Sequence, residues 1–183
     1  MTKKYSFSKF LMPDYMFERF DLITPDFLTS IGISALLIDI DNTLAPYEQP
    51  DADDRIISWF KSLKEAGIKA SLISNNHAPR VERFNATLGL DAYPDSGKPK
   101  SKTLVTAMKK MGSTQENTAG IGDQLLTDTA AAHNLGLISI IVPPIKDKTN
   151  AFYKVKRAIE RPFVRRYRNA HHGDGPFPKW PKY

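Results

Sequence analysis

Not one cysteine occurs in these 183 residues, which removes disulfides, thiolate catalysis and Cys-ligated zinc or iron–sulfur sites together. That agrees with a reducing cytoplasm. Long apolar runs are missing too. No stretch approaches the ~20 residues that span a bilayer, and the opening Met1-Thr2-Lys3-Lys4-Tyr5-Ser6 lacks the uninterrupted apolar core of a secretory signal. The expectation is a cytoplasmic protein, soluble or peripheral on the inner face of the membrane. Low-complexity tracts and internal repeats are also wanting, and 41% apolar residues is ordinary for one globular domain with a normal core.

Positive charge is present but unevenly placed. Of the net +6, the stretch from Lys146 to Tyr183 carries +8, with 11 Lys/Arg against 3 Asp/Glu, leaving −2 for everything before it. A near-neutral body with a basic appendage suggests docking on an anionic surface more than a uniformly nucleic-acid-binding face.

After an N-terminal stretch rich in Phe, Tyr and Pro (Tyr5 to Phe27), strand and helix patterns alternate as far as Val142. Such alternation predicts an α/β fold, a Rossmann-like central parallel sheet with helices on both faces. The expected strands are Ala35 to Asp39, Lys69 to Ser74, a short one at Leu90 to Tyr93, Thr118 to Ile121 and Leu137 to Val142. Between them, Ile56-Phe60-Leu63, Val81-Phe84-Leu88 and Leu104-Met108-Met111 recur at helical spacing. Gly67 and Gly112 stand where helices should close.

In such sheets ligands collect beyond the carboxyl ends of the strands. The first expected strand ends at Asp39-Ile40-Asp41-Asn42-Thr43. Side chains repeat every second residue along a strand, so both acids meet one polar edge. At an effective dielectric of about 20, two such charges ~4 Å apart repel by roughly 4 kcal/mol. The pair therefore needs a cation, a shared proton or a task that uses both acids, and metal-assisted phosphoryl transfer supplies one. The second strand ends in Ser74-Asn75-Asn76, a cradle of hydroxyl, amides and main-chain donors for a phosphoryl group. Gly97-Lys98-Pro99-Lys100 brings an ammonium to meet negative charge. Gly120-Ile121-Gly122-Asp123, followed by Asp128, offers close backbone approach and carboxylates for a hard, oxygen-rich Mg2+ site. His77 fits a solvated helix start and His133 a structural place in an alanine-rich helix.

Taken in order, Asp39-Ile40-Asp41-Asn42-Thr43, Ser74-Asn75, Lys98-Pro99 and Gly122-Asp123 with Asp128 resemble the four motifs of the haloacid-dehalogenase-like (HAD) superfamily. The resemblance implies a phosphatase with an aspartyl-phosphate intermediate. Carried over residue by residue, Asp39 is the nucleophile, Asp41 the general acid and base, and Lys98 the cation that offsets charge. Ser74 and Asn75 bind the phosphoryl group, and Thr43, on the same substrate side, supports the loop more than the chemistry. Mg2+ is held by the Asp39 carboxylate, the Asp41 carbonyl and Asp123, with Asp128 behind them. The intervals between motifs leave no room for a cap domain, so the chain divides into a capless phosphatase domain, 1–145, and a basic tail, 146–183. An open pocket suits a large or surface-bound substrate.

Adding Met12-Pro13-Asp14 and Ile23-Thr24-Pro25, the chain is similar to the YqeG-type subclass IIIA phosphatases of bacteria, relatives of phosphatidylglycerophosphate phosphatases. That resemblance implies a lipid head group as the phosphomonoester substrate. In the tail, Phe152, Val155, Ile159, Phe163 and Tyr167 interleave with Lys154, Lys156, Arg157, Arg161, Arg165, Arg166 and Arg168. This is a basic amphipathic segment, broken or kinked near Pro162, suited to an anionic membrane surface or to packing on the domain. His171 to Tyr183 looks like a flexible end. Two other readings stand beside the lipid phosphatase: a phosphatase for phosphorylated protein or nucleic acid, whose tail grips a polyanion, and a non-catalytic binding domain on the same fold.

Overall fold

A computed structural model describes residues 9–146 and 151–171, with side chains in the second stretch from Lys154 onward. Six strands form one sheet: β1 (Tyr15–Met16), β2 (Ala35–Ile38), β3 (Lys69–Ile73), β4 (Asp91–Tyr93), β5 (Thr118–Gly122) and β6 (Ile138–Ile141). Their order is β1-β6-β5-β2-β3-β4 and every pairing is parallel. The chain winds outward from β2 through β3 to β4, then returns to place β5 on the other side of β2. The crevice between the ends of β2 and β5 is thus the point where the winding reverses.

Strand periodicity sorts the core into two layers. Leu36 and Ile38 of β2 face α1 (Pro25–Ser30), α2 (Asp54–Glu65) and α3 (Ala78–Asn85), packing with Leu28, Ile56, Trp59, Leu63, Val81 and Phe84. Ala35 and Leu37 face α4 (Lys102–Met111) and α5 (Ala130–Asn134), packing with Leu104, Ala107, Met108, Ala131 and Ala132. Asp53 caps α2 by accepting from the Ile56 N–H at 2.9 Å. Gly67 and Gly112 take φ values of +74° and +65° just past α2 and α4, the left-handed turn that lets a helix stop. Among the described residues, no additional domain is inserted between β2 and α2 or between β3 and α3.

Two features differ from the sequence expectation. The aromatic N-terminal stretch adds β1, which pairs Tyr15 with Ile140 and Met16 with Ile141 and covers an otherwise open sheet edge. Its approach is fixed by Asp14, whose carboxylate accepts from the Ser139 N–H at 2.9 Å and lies 3.0 Å from His133 Nε2. His133 is thereby a structural clasp. Helix α6 (Ala151–Ala170) runs without a break through Pro162. That residue is exposed, as is Ala158 four positions earlier, whose carbonyl a proline cannot bond. The expected apolar stripe also divides. Val155 and Ile159 are exposed, whereas the packed face is made of Arg157, Glu160, Val164 and Tyr167. The Phe152 side chain and residues 172–183 of the tail lie outside the described residues.

Candidate active site

The β2 ladder continues one residue past the strand, with the Asp39 N–H donating to the Ile121 carbonyl at 2.9 Å. The chain then turns back on itself. Asn42 adopts φ +67°, a left-handed conformation that asparagine tolerates, and its N–H donates to the Ala45 carbonyl at 2.7 Å. This turn sends the two aspartates to different partners, which disposes of their repulsion. Asp39 accepts from Lys98 Nζ at 2.7 Å and from the Thr43 hydroxyl at 3.1 Å. Asp41 accepts from Arg80 Nε at 3.3 Å and from the Asn76 amide at 3.0 Å.

Lys98 sits between two carboxylates. Its Nζ donates to Asp39 Oδ1 and lies 2.7 Å from Asp128 Oδ1, and it also donates to the Ile73 carbonyl at 2.8 Å. Burial works against its charge, but Asp128 and Asp39 outweigh that and hold the ammonium pKa above its ordinary value. Asn75 braces the lysine loop: its Oδ1 accepts from the Lys98 N–H and the Ser96 hydroxyl, both at 2.8 Å, while its amide donates to the Lys98 carbonyl at 3.0 Å. Ser74 turns its hydroxyl to accept from the Asn76 N–H at 3.0 Å.

At the end of β5, Asp123 is fully buried. A Cβ on Gly122 would stand 2.2 Å from Asp128 Cγ, so only glycine leaves room for that carboxylate. Oxygens of Asp39, Asp123 and Asp128 all lie within 4.8 Å of one another. Burial pushes the Asp39 carboxyl up to about 8 despite Lys98, and pushes Asp123 up to about 7 despite Arg157. Three buried carboxylates at that spacing form a hard-oxygen donor set short of positive charge, and a divalent metal ion fits it. Asp128 completes this cluster with its own carboxylate shared between Lys98 Nζ at 2.7 Å and the Gln124 N–H at 3.1 Å. The Asp41 carboxylate is turned away to Arg80.

A cavity of about 100 Å3 opens here, with Asp39, Asp41, Ser74, Asn75, Lys98 and Asp128 on its wall. Thr43 is buried behind Asp39 and does not line it. His77 is exposed, 2.6 Å from Asp95 through Nδ1, and lies off the wall at the start of α3. A larger depression of about 740 Å3 lies at the opposite edge, beside Lys69 and Asp91 where β3 and β4 begin, away from these acids.

Sequence reasoning did not assign Arg80 or Arg157. Arg80 stands in the first turn of α3, close enough to the second motif for a basic residue there to have drawn notice. Arg157 has no such local signal. From α6 its Nη2 donates to Asp123 Oδ2 at 2.7 Å and its Nη1 to the Asp123 carbonyl at 2.9 Å. Lys156, Gln124 and Tyr47 on the cavity wall were likewise unassigned.

Residues 24–136 match the family model of haloacid dehalogenase-like hydrolases. The probable phosphatase YqeG of Bacillus subtilis is 35% identical over 153 residues, spanning 84% of this chain and 89% of that protein. Among solved structures, an uncharacterized protein from Listeria monocytogenes serotype 4b superposes with a TM-score of 0.50 at 12% identity, over 64% of this chain and 85% of its own. The cobalt-bound deoxy-D-mannose-octulosonate 8-phosphate phosphatase of Haemophilus influenzae gives a TM-score of 0.48 at 18% identity, over 79% and 94%.

Proposed function

This chain belongs to the haloacid dehalogenase-like hydrolase family, and from that membership we propose a Mg2+-dependent phosphatase that works through an aspartyl-phosphate, most suited to phosphatidylglycerophosphate at the inner face of the membrane. One observation carries the reading: Asp39, Asp41, Ser74, Lys98 and Asp128, drawn from four strand ends, share one small cavity.

Asp39 attacks phosphorus in line, and the bond to the leaving oxygen breaks as Asp41 delivers a proton to it. Asp41 then takes a proton from water, which attacks the phosphoryl group and frees the Asp39 carboxylate with inorganic phosphate. Arg80 and Asn76 hold the Asp41 side chain in place through both steps. Ser74 and the Asn75 backbone receive phosphoryl oxygens, while the Asn75 side chain keeps Lys98 aimed at Asp39. Asp39 and Asp123, with the Asp41 carbonyl and Asp128, would hold a Mg2+ ion, which when bound would screen charge between nucleophile and phosphoryl group.

The lipid is favoured by two features. Among the described residues no cap domain covers the cavity, and the outer face of α6 exposes Val155 and Ile159 beside Lys154, Arg161, Arg165 and Arg166. The test compares wild type and Asp39→Asn on phosphatidylglycerophosphate in micelles, a phosphopeptide and a nucleotide, with and without Mg2+. Preferred phosphate release from the lipid supports the reading. Preference for the peptide or nucleotide assigns the substrate to that class, and no release from any of them overturns catalysis itself.

A further inference from the structure

Helix α6 is pinned to the body at three heights. The Tyr167 hydroxyl accepts from the Met16 N–H at 3.2 Å, Glu160 Oε1 accepts from the Leu125 N–H at 2.8 Å, and Arg157 grips Asp123. Such anchorage fixes what the neighbouring residue does. Lys156 lies on the wall of the same small cavity as Asp39 and Lys98, with Nζ 3.1 Å from Gln124 Oε1.

The two lysines differ in how far each is exposed at the cavity. Lys98 is buried, and its three donors go to Asp39, Asp128 and the Ile73 carbonyl, so its charge is balanced inside the protein. Lys156 is only partly buried, and one of its partners is a neutral amide oxygen. The cavity is small, about 100 Å3, and a substrate whose phosphoryl group reaches Asp39 passes its wall. Asp39, Asp41 and Asp128 make that wall repel a second anion unless a cation stands where it passes.

We propose that Lys156 is a specificity-determining residue, selecting phosphomonoesters that carry a second anionic group, a phosphodiester or a carboxylate, a few bonds from the phosphoryl group. The inference rests on the phosphatase reading. It differs from a role in the chemical step, because Lys156 acts on a part of the substrate that does not react.

The full chain is assayed with Mg2+ on three water-soluble probes: glycerol 3-phosphate, with no second anion; 3-phosphoglycerate, with a carboxylate; and glycerophosphoglycerol phosphate, with a phosphodiester. Wild type prefers one or both of the probes that carry a second anionic group, by kcat/KM. Lys156→Ala lowers that preference about five- to tenfold, Lys156→Glu lowers it further, Lys156→Arg retains it, and added salt weakens it. Lys109→Ala, an exposed lysine near the end of α4, leaves the preference ratio unchanged and controls for overall charge. The probe whose ratio falls identifies the anion. No wild-type preference, or an equal loss on all three probes, overturns the proposal. No turnover of any probe, with none of p-nitrophenyl phosphate, overturns the phosphatase reading beneath it.

Discussion

Arg157 and Asp123 stand 34 residues apart in the chain, yet the guanidinium of one closes on both the carboxylate and the carbonyl of the other, at 2.7 and 2.9 Å. The same guanidinium holds Glu160 at 2.8 Å, and Glu160 in turn accepts from the Leu125 and Leu126 N–H groups. Asp123 is thus tied on one side to the three-carboxylate cluster and on the other to α6. Burial opposes the charge on Arg157, but Asp123 and Glu160 outweigh it and hold its pKa above the ordinary value.

Removing one member of such a buried arrangement leaves the others uncompensated. Arg157→Leu is expected to destabilise the fold by about 3–5 kcal/mol, lowering the thermal midpoint by roughly 6–20 °C for a chain of this size. Arg161→Leu, on the exposed side of the same helix, should stay within about 0.5 kcal/mol. Calorimetry of the two variants decides it, and equal midpoints would show that the Arg157 contact carries no stability.

The two acids after β2 are expected to fail differently. Asp39→Asn replaces the attacking carboxylate with a weakly nucleophilic amide, so no phosphoryl group should be trapped on the protein. Asp41→Asn removes proton transfer and should lower kcat by about 10²–10⁴. Acid quenching after mixing with 32P-labelled substrate separates them: label is retained on wild type and absent from Asp39→Asn.

Mg2+ should stabilise the folded chain, because the carboxylates of Asp39, Asp123 and Asp128 meet only in that state. At a hundredfold excess over Kd the gain is about 2.7 kcal/mol. Asp123→Asn and Asp128→Asn should flatten the Mg2+ dependence of the thermal midpoint, and Ca2+ or Mn2+ in place of Mg2+ reports how selective the donor set is. A dependence untouched by both substitutions would place the ion elsewhere.

Gly122→Ala should be among the most damaging single-methyl changes here, since the added carbon would lie 2.2 Å from Asp128 Cγ and 2.4 Å from its Cβ. Overpacking of this kind costs about 1–3 kcal/mol. The Asp128 carboxylate must also move off Lys98. Loss of Mg2+-linked stabilisation together with a lower midpoint is the expected pair of results, whereas Gly67→Ala should lower the midpoint through its φ of +74° and leave the Mg2+ response intact.

The sheet was legible in the sequence because buried parallel strands announce themselves as apolar runs. Ala35 to Asp39 and Thr118 to Ile121 each fall within a residue of the observed β2 and β5. Strand ends carry the polar residues of the cavity, so Asp39, Ser74 and Asp123 were found by position as much as by type. What escaped has no local period. β1 is two residues long, too short for any alternation to show, and is held by side chains such as Asp14 from outside the strand. The packed face of α6 contains Arg157 and Glu160, so of the hydrophobic stripe drawn through the sequence Phe163 and Tyr167 meet the body while Val155 and Ile159 fall on the opposite side. Ion pairs that satisfy each other across 34 residues look, residue by residue, like solvated charge.

That division of the stripe decides how membrane docking must be tested. Cutting the chain after Ile145 would remove Arg157 from Asp123 and Lys156 from the cavity wall, so lost activity would say nothing about lipid. The outer face can be changed alone. Val155 and Ile159 are 59% and 48% exposed, with Lys154, Arg161, Arg165 and Arg166 exposed around them. Each cation near an anionic leaflet contributes about 1 kcal/mol, so reversing Arg161 and Arg165 to Glu should weaken binding by several hundredfold or more. Co-sedimentation with vesicles of phosphatidylglycerol and phosphatidylcholine measures the loss, and Val155→Asp with Ile159→Asp tests the apolar share. Unchanged sedimentation of all four substitutions would remove α6 as the docking face, while turnover of glycerol 3-phosphate by the same variants reports whether the cavity is intact.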